Sequence, residues 1–238
     1  MRKIRTDGQA TRDAILAAAE VEFSEQGFEI ASVRAICTKA GANVALANRY
    51  FGSKEDLYRI VAKRLFGDLG APMAAVAEKA TTKENWRAAV REWVWDFLFM
   101  TLPTERPQVL CRGLFRHEVT RPTKFHDEFL RDYGKPIYDS LFKLVSMVEK
   151  DAVRLELLTS SIWSQIAVYA LADESWQKNF RPKGVTQEVW RETICDHICE
   201  TFFASVGELT ADKRRQRVAH ASAKYGERER SPSAKVCG

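Results

Sequence analysis

The chain has 238 residues, 45% of them hydrophobic, and a formal charge of +5, a composition typical of a protein that buries a sizeable core. No apolar run reaches the ~18 residues that a membrane span needs, and no apolar segment follows the basic N-terminus as it would in a signal peptide. We therefore expect a cytoplasmic protein. The five cysteines have no framework spacing, which favours reduced thiols over disulfides.

The basic charge lies at the two ends of the chain. Residues 1–66 carry eleven Lys/Arg against eight Asp/Glu, residues 67–210 carry eighteen against twenty-one, and the segment from 211 carries eight against three. A polyanionic partner would therefore meet the ends of the chain. The composition of residues 210–238 predicts a disordered basic tail.

The first 66 residues read as four amphipathic helices. Apolar residues repeat at helical spacing from Thr11, and Gly27 is expected to stop this helix as a left-handed C′ residue. A second helix, 33–40, is bounded by Ser32 as N-cap and by Gly41. The remaining two are a short helix through Phe51 that Asn43 caps and a longer one that Ser53 caps.

The rest of the chain shows apolar spacing of helical type and no convincing alternation at period two. The predicted helices cover 86–100, 109–119, 125–133, 137–145, 155–171 and 189–206, and prolines separate several of them. The predicted fold class is therefore all-α.

The segment 32–54 has the layout of a helix-turn-helix, because two short helices join through a tight turn at Gly41. A second helix this short can place its first turn in a major groove. Val44 could contact a thymine methyl group, Ala45 allows close approach, and Asn48 could pair with adenine or bind a phosphate.

The same segment and the helix before it resemble the TetR family of regulators. The residues that carry the resemblance are Arg12, Ile15, Leu16, Ala18, Ala19, Phe23, Gly27, Phe28, Ser32, Val33, Ile36, Ala40, Gly41, and the run Tyr50-Phe51-Gly52-Ser53-Lys54-Glu55 with Leu57. Two positions depart from the common pattern, since Asn48 stands where many members have tyrosine and Tyr50 where histidine is common. These departures concern which bases are preferred and not whether the segment binds DNA.

The resemblance implies a DNA-binding domain at 1–66 and a larger helical ligand-binding and dimerisation domain at 67–209. By resemblance, Ser32, Tyr50 and Lys54 contact phosphates. The groove-facing residues would be Val44, Ala45, Asn48 and Arg49. The implied protein is a homodimeric repressor that binds a palindromic DNA operator and is released by a small-molecule effector.

The expected dimer surface lies on the helices near 155–171 and 189–206. Its apolar candidates are Leu155, Leu158, Ile162, Ile166, Tyr169, Val189, Ile194, Ile198, Phe202 and Phe203. Packing inside one subunit is the alternative for these residues.

The expected effector site involves aromatic and basic residues of the middle helices. The candidates are Trp95, Phe99, Arg112, Phe115, Arg116 and His126. Arg112 and Arg116, spaced i and i+4, share a helix face and could bind an anion between aromatic walls; a solvated face is the alternative. The stretch 110–125 also resembles the sensor domain of the CecR-like subgroup.

Other chemistry finds little support in the sequence. Cys195 and Cys199 share a helix face, but His197 points about 160° away from it, so we expect no metal site. No nucleophile elbow, phosphate-binding loop or zinc motif is present, and neither a cofactor nor an enzyme activity is predicted. The alternative function is a helical ligand-binding or scaffold protein without sequence-specific DNA binding.

Overall fold

The computed structural model describes residues 3–102, 105–172, 175, 179 and 181–207. Every regular element in these ranges is helical, so the all-α prediction is confirmed. The helices are α1 (Lys3–Ile30), α2 (Val33–Ala40), α3 (Val44–Phe51), α4 (Lys54–Phe66), α5 (Gly70–Lys79), α6 (Lys83–Thr101), α7 (Arg106–Thr120), α8 (His126–Phe129), a π-helical turn (Leu130–Gly134), α9 (Lys135–Ser146), α10 (Ala152–Leu171) and α11 (Gln187–Gly207).

Helices α1 to α4 form the arm of the molecule, and their ends lie where the capping residues predict. The Ser32 side chain accepts from the Ala35 amide at 3.1 Å. Gly41 ends α2 in the left-handed conformation, with φ 63° and ψ 31°. Ser53 forms a full capping box with Asp56 at the start of α4. These caps satisfy amides that would otherwise lack partners, so the short helices keep fixed ends.

The end of α1 differs from its prediction. The helix extends to Ile30, and Gly27 interrupts it with φ 75° and ψ 169°. This is not the expected left-handed cap but an extended conformation of positive φ that is essentially confined to glycine. A Cβ at Gly27 would also lie 2.9 Å from His117 Nδ1. Gly27 is therefore required both by the kink and by the close approach of α7.

Within the body of the molecule, residues 67–199, the described residues include a helix, α5, that the sequence did not indicate. Helix α5 is rich in alanine and includes Pro72, so its pattern is weak, yet Met73 and Val76 are buried. Two tryptophans of α6 fix the neighbouring helix α9. Trp86 Nε1 donates to the Leu144 carbonyl oxygen and Trp93 Nε1 to Ser140 Oγ, both at 2.7 Å. These indoles are core residues with satisfied N–H groups.

The predicted helix 125–133 is instead two elements in succession. A single turn of α-helix, α8, is followed by the π-helical turn Leu130–Gly134, and α9 continues directly from it. A π turn adds one residue per turn and often marks a functional site. This one forms part of the wall of the cavity described below.

Contacts between Cα atoms divide the chain into two units, Met1–Cys199 and Glu200–Gly238. The first contains the arm and the body. In the second, the described part is the end of α11, where the rings of Phe202 and Phe203 lie 5.7 Å apart. The predicted basic tail at 210–238 lies outside the described residues. In the parts of the chain described above, no helix is both long and apolar enough to span a membrane.

Candidate nucleic-acid interface and sensor cavity

Helix α3 has one buried side and one exposed side. Ala47 and Phe51 anchor it in the arm, and the Asn43 side chain accepts from the Leu46 amide at 2.8 Å. The exposed residues are Val44, Ala45, Asn48 and Arg49. They follow i, i+1, i+4, i+5 spacing and therefore share a face. Eight residues span about 12 Å, which fits the width of a major groove.

The predicted phosphate-binding residues flank this face. Ser32 is exposed, and its O–H can still donate while its oxygen caps α2. Tyr50 is half-buried, with its hydroxyl facing the backbone near Gly8. Lys54 is half-buried as well, because its Nζ lies 4.4 Å from the centre of the Phe28 ring and donates to the Glu29 carbonyl at 3.4 Å. The Lys54 ammonium thus also joins α4 to the end of α1.

Lys39, a second basic residue near the turn between α2 and α3, forms ion pairs that hold α2 against α1. Lys39 Nζ lies 2.8 Å from Glu22 and 3.5 Å from Glu25, both on α1. The hydrogen bond to Glu22, followed by the charges of both carboxylates, holds the pKa of Lys39 above its usual value. Lys39 therefore ties α2 to α1.

The arm joins the body mainly through α7. A Cβ at Gly113 would lie 2.6 Å from the Ser24 carbonyl oxygen, so α7 and α1 are nearly in backbone contact there. Four residues later, His117 Nε2 lies 3.1 Å from the Glu25 carbonyl oxygen. Helix α7 thus lies directly against the C-terminal part of α1.

A buried carboxylate completes this joint. Glu118 of α7 is 0% exposed, and it accepts hydrogen bonds from the hydroxyl of Tyr58 in α4 and, at 2.8 Å, from that of Thr123. His126 Nδ1 lies 3.7 Å from the other carboxylate oxygen. The pKa of Tyr58 lies above its usual value, mainly because the side chain is buried and also because its hydroxyl donates a hydrogen bond to Glu118. Glu118 therefore connects α4 with the segment that leads to α8.

Aromatic rings surround the Tyr58 side of this network. The Tyr58 ring packs edge-on against Phe23 and Phe28 at 5.1 and 5.0 Å and stacks on Phe125 at 5.4 Å. Phe125 belongs to the body, so arm and body share one aromatic cluster.

The body also contains a small apolar cavity of about 40 Å³. Six aromatic residues line it, and they come from α4, α6, α7, α8, the π turn and α10: Phe66, Phe97, Phe115, Phe129, Tyr133 and Trp163. The wall also contains Met100, Cys111, Ile137 and Ala170, and its more polar members include Thr101 and Arg112. Burial raises the pKa of the Cys111 thiol. Phe66 is the last residue of α4, so the arm contributes directly to the cavity.

The structure brings two of the six predicted effector-site residues, Arg112 and Phe115, to this cavity. Arg116 lines a separate cleft that also contains Ser24 and Glu25. His126 lies beside Glu118.

Trp95 and Phe99 lie on another side of α6, where they surround the buried guanidinium of Arg191. The Cζ of Arg191 is 5.6 and 4.7 Å from the two ring centres, and one Nη donates to the Leu102 carbonyl at 2.8 Å. Loss of solvent lowers the pKa of Arg191. This cluster fastens α11 to the end of α6.

Sequence reasoning missed the cavity residues of α4, α8 and α10. The available signal was the spacing of Phe125, Phe129 and Tyr133, which repeats every fourth residue. Nothing local connects Phe66 or Trp163 with these rings, since they come from distant segments of the chain.

The predicted dimer residues on α10 and α11 are mostly internal. Those buried within the chain are Leu155, Ile162, Ile166, Ile194, Ile198 and Phe202. Their burial agrees with the alternative interpretation, in which these residues pack inside one subunit. The predicted residue Val189 is exposed, and the same helices also expose Val153, Leu157 and Val168.

Cys195 and Cys199 are both buried, and His197 is exposed. In the described part of the chain, no three His, Cys, Asp or Glu side chains are grouped so that they could hold a metal ion.

Comparison with known proteins agrees with this geometry. Residues 15–61 match the model of the bacterial regulatory proteins of the tetR family, and this range contains α2, α3 and most of α4. The transcriptional dual regulator CecR of Shigella flexneri is 27% identical over 177 residues, which are 71% of this chain and 79% of that protein. The similarity therefore extends well beyond the arm.

A second relative is the transcriptional repressor NicS of Pseudomonas putida, 31% identical over 87 residues, which are 37% of this chain and 41% of that protein. Among solved structures, the hemolysin II transcriptional regulator HlyIIR has the same fold, with a TM-score of 0.55 and 22% identity over 82% of this chain and 97% of that one. Residues 15–61 therefore carry the helix-turn-helix of the tetR family of bacterial regulatory proteins, and the chain is similar over most of its length to a DNA-binding transcriptional regulator.

Proposed function

We propose that this regulator is a homodimeric repressor that binds a palindromic operator and is released when a small molecule enters the body. The exposed face of α3 is the observation that carries the proposal. We place the boundary between DNA-binding domain and ligand-binding domain near residue 66, with the second domain extending to 209. The site of action would be the cytoplasm, where a bacterial chromosome lies.

In the proposed complex α3 enters the major groove. Val44 and Ala45 lie in its first turn, and small apolar side chains there permit contact with base edges and thymine methyl groups. Asn48 and Arg49 follow one turn later and supply hydrogen bonds. Ser32 would orient the arm on phosphates without reading sequence.

The dimer would form through α10 and α11. These helices expose Val153, Leu157, Val168 and Val189, the first two each more than 60%. A groove between the helices is lined by Tyr169 and Trp190 among others. A stable interface buries roughly 1,200–2,000 Å², and a second copy of the same helix pair would cover these residues by two-fold symmetry.

Release would follow from the position of the cavity. Phe66 is the last residue of α4, and only two residues separate the start of α4 from the end of α3. A ligand that shifts the end of α4 would therefore change the relation of the two α3 helices in a dimer. Two arms can bind adjacent grooves only when they are spaced by about one DNA turn, ~34–36 Å.

The relative NicS is a transcriptional repressor. CecR is named as a dual regulator. We propose repression here because an arm that occupies an operator blocks access to it without further contacts.

The test is selection of bound sequences from a random double-stranded DNA library by the purified full chain. We expect a palindromic motif that is lost with Asn48→Ala/Arg49→Ala and retained with Arg131→Ala, which removes an exposed charge from the body. Enrichment of no motif, with only salt-sensitive binding, would favour a helical ligand-binding protein without sequence-specific recognition.

A further inference from the structure

One lysine of the body lies next to the start of α4, close to the end of α3. Lys124 belongs to the segment between α7 and α8, and its Nζ donates to Glu55 Oε1 at 2.9 Å. Glu55 is the second residue of α4, and only Gly52 and Ser53 separate α4 from α3. A basic side chain of the body therefore reaches the part of the arm that would meet DNA.

The Lys124 ammonium lies beside a predicted phosphate-binding group. Lys54 Nζ is 4.4 Å from the centre of the Phe28 ring, and Lys124 Nζ is 5.7 Å from the same centre. The two ammonium groups therefore contact one aromatic side chain, although they come from arm and body. Lys54 is half-buried and donates to a backbone carbonyl, whereas 59% of the Lys124 side chain is exposed. Lys124 is thus the more accessible of the two to a DNA strand.

The neighbours of Lys124 in the chain hold its backbone in place. Thr123 Oγ1 donates to the buried Glu118 at 2.8 Å, and the Phe125 ring stacks on Tyr58 at 5.4 Å. A residue between two anchored neighbours has less backbone freedom to lose when it binds a partner. The Lys124 side chain therefore starts from a fixed position near α4 before DNA arrives.

The hydrogen bond to Glu55 leaves the ammonium able to bind an anion. A lysine ammonium has three N–H donors, and this bond uses one of them. The centres of the Phe28 and Phe125 rings lie 5.7 and 5.3 Å from Nζ, within the range of cation–π attraction. A phosphate oxygen can therefore accept a further hydrogen bond on the exposed side of the ammonium.

Glu55 positions Lys124 and also competes with DNA for it. The hydrogen bond from Lys124 holds the pKa of the Glu55 carboxyl below its usual value, so Glu55 is ionised at neutral pH. A carboxylate at this place is repelled by DNA phosphates and pairs with the same ammonium that they would bind. Neutralising Glu55 and neutralising Lys124 should therefore have opposite effects on DNA binding.

From these observations we infer that Lys124, a residue of the body, binds a phosphate of the operator backbone beside Lys54. The inference rests on the proposed entry of α3 into the major groove and adds to it a DNA contact from outside the arm. Thr123 and Phe125 belong to the joint between arm and body, so a shift of their segment would withdraw the ammonium from DNA without unfolding α3.

The test is the salt dependence of operator affinity, measured by fluorescence anisotropy on the full chain with the selected operator. Each phosphate that a lysine neutralises contributes about 0.9 to the slope of log K against log[salt]. Lys124→Gln should therefore make this slope less steep by about one for each chain bound. At ~0.1 M salt we expect affinity to fall by about tenfold for two bound chains.

Lys135→Gln is the matched control. The Lys135 side chain is 64% exposed and pairs with Asp139 at 2.6 Å, so each variant loses one exposed charge and one ion pair. The control should keep the slope and the affinity of the wild type. An unchanged slope for Lys124→Gln, or the same change in both variants, would overturn the inference. A loss of affinity without a loss of slope would mean that Lys124 only positions α4.

A second variant tests the expected change of sign. Glu55→Gln keeps Lys124 and removes its competitor, so operator affinity should rise by about threefold. Most of this gain should disappear in the Lys124→Gln background. If the ion pair served only to position α4, Glu55→Gln would weaken binding as Lys124→Gln does. Weaker binding, or an equal gain with and without Lys124, would contradict the phosphate contact.

The variants should remain folded, because other contacts also hold the joint. Arg59 Nε lies 3.1 Å from both carboxylate oxygens of Glu128, and the Tyr58 hydroxyl donates to Glu118. Circular dichroism and urea denaturation of each variant check this, and an exposed ion pair is expected to change the unfolding midpoint only slightly.

Selection and salt dependence together separate this inference from the proposed function. If no operator is selected, the proposed function fails, and the slopes are then compared on a random-sequence duplex, because phosphate contacts carry no sequence information. If an operator is selected and Lys124→Gln leaves its slope unchanged, the inference fails and the proposed function stands. A slope reduced by about one per chain in Lys124→Gln, and not in Lys135→Gln, supports the contact in either case.

Discussion

The arm and the body of this regulator are stabilised in different ways. In the arm, helices of eight to thirteen residues follow α1, and side-chain caps hold each of them within a few residues of sequence. In the body, helices of up to twenty residues are positioned by contacts from remote segments, such as the bond from Trp93 to Ser140 across 47 residues. The arm can therefore present a rigid face to DNA, while the body can change shape when the packing of its helices changes.

The joint between the regions combines both features. Gly113 and His117 set α7 against the kinked end of α1, and Glu118 reaches Tyr58 of α4. A change in the body can reach the arm through these contacts, which lie next to the cavity residues Arg112 and Phe115 on the same helix.

The largest expected effect is a loss of operator affinity when the exposed face of α3 is changed. Ala45→Glu places a carboxylate on the exposed face of α3, where DNA phosphates would repel it, so operator affinity should fall by about a hundredfold. Fluorescence anisotropy with the selected operator measures this loss. Ala75→Glu, at an exposed alanine of α5, is the control and should bind as the wild type does. An equal loss in both would mean that net charge, and not α3, decides binding.

The next effect concerns the joint. Gly113→Ala adds a Cβ that would lie 2.6 Å from the Ser24 carbonyl, so α7 must move away from α1 at a cost of about 1–3 kcal/mol of unfolding free energy. Urea denaturation measures the change. Gly70→Ala is the control, since its Cβ would meet only one side-chain atom, Ile137 Cγ1 at 3.3 Å, and we expect a change below about 1 kcal/mol. Equal costs would show that the α7–α1 approach is not tight.

A smaller effect follows from the raised pKa of Tyr58. Because the folded-state pKa lies above the unfolded value, the unfolded chain loses this proton first, and stability falls as the pH rises above about 10. Between pH 9.5 and 11 the wild type should lose roughly 1 kcal/mol more than Tyr58→Phe, as denaturation at each pH would show. Tyr138→Phe, at a less buried tyrosine, serves as the comparison. Parallel pH profiles for wild type and Tyr58→Phe would contradict the buried Tyr58–Glu118 pair.

The smallest effect is at the cap of the recognition helix. Asn43→Ala removes the acceptor of the Leu46 amide and should cost roughly 0.5–1 kcal/mol. Asn43→Ser should restore most of this loss, because serine also caps well. A denaturation series in which alanine equals asparagine would show that packing alone holds the start of α3.

The same contrast explains how far the sequence predicts the structure. Ser32, Gly41, Asn43 and Ser53 act within three or four residues of themselves, so the ends of α2, α3 and the start of α4 follow from the sequence. Gly27 shows the limit, since its conformation depends partly on His117, far along the chain. The exposed face of α3 also follows, because a short capped helix with two buried anchors leaves one side free.

The cavity could not be predicted in the same way. Seven elements contribute to it, and helix periodicity identifies apolar residues without stating which helix they meet. Trp95 and Phe115 look equivalent in the sequence, yet the first packs on Arg191 and the second faces the cavity. Helix α5 was missed because alanine and proline give almost no apolar pattern.

The central claim is that two copies of α3 read one operator, and the most direct measurement compares the selected operator with a duplex in which one half-site is scrambled. The account predicts that the intact operator binds two chains and that scrambling lowers affinity by about a hundredfold or more, several base-pair mismatches each costing about 1–3 kcal/mol. Equal affinity for both duplexes, with a single chain bound to each, would contradict it.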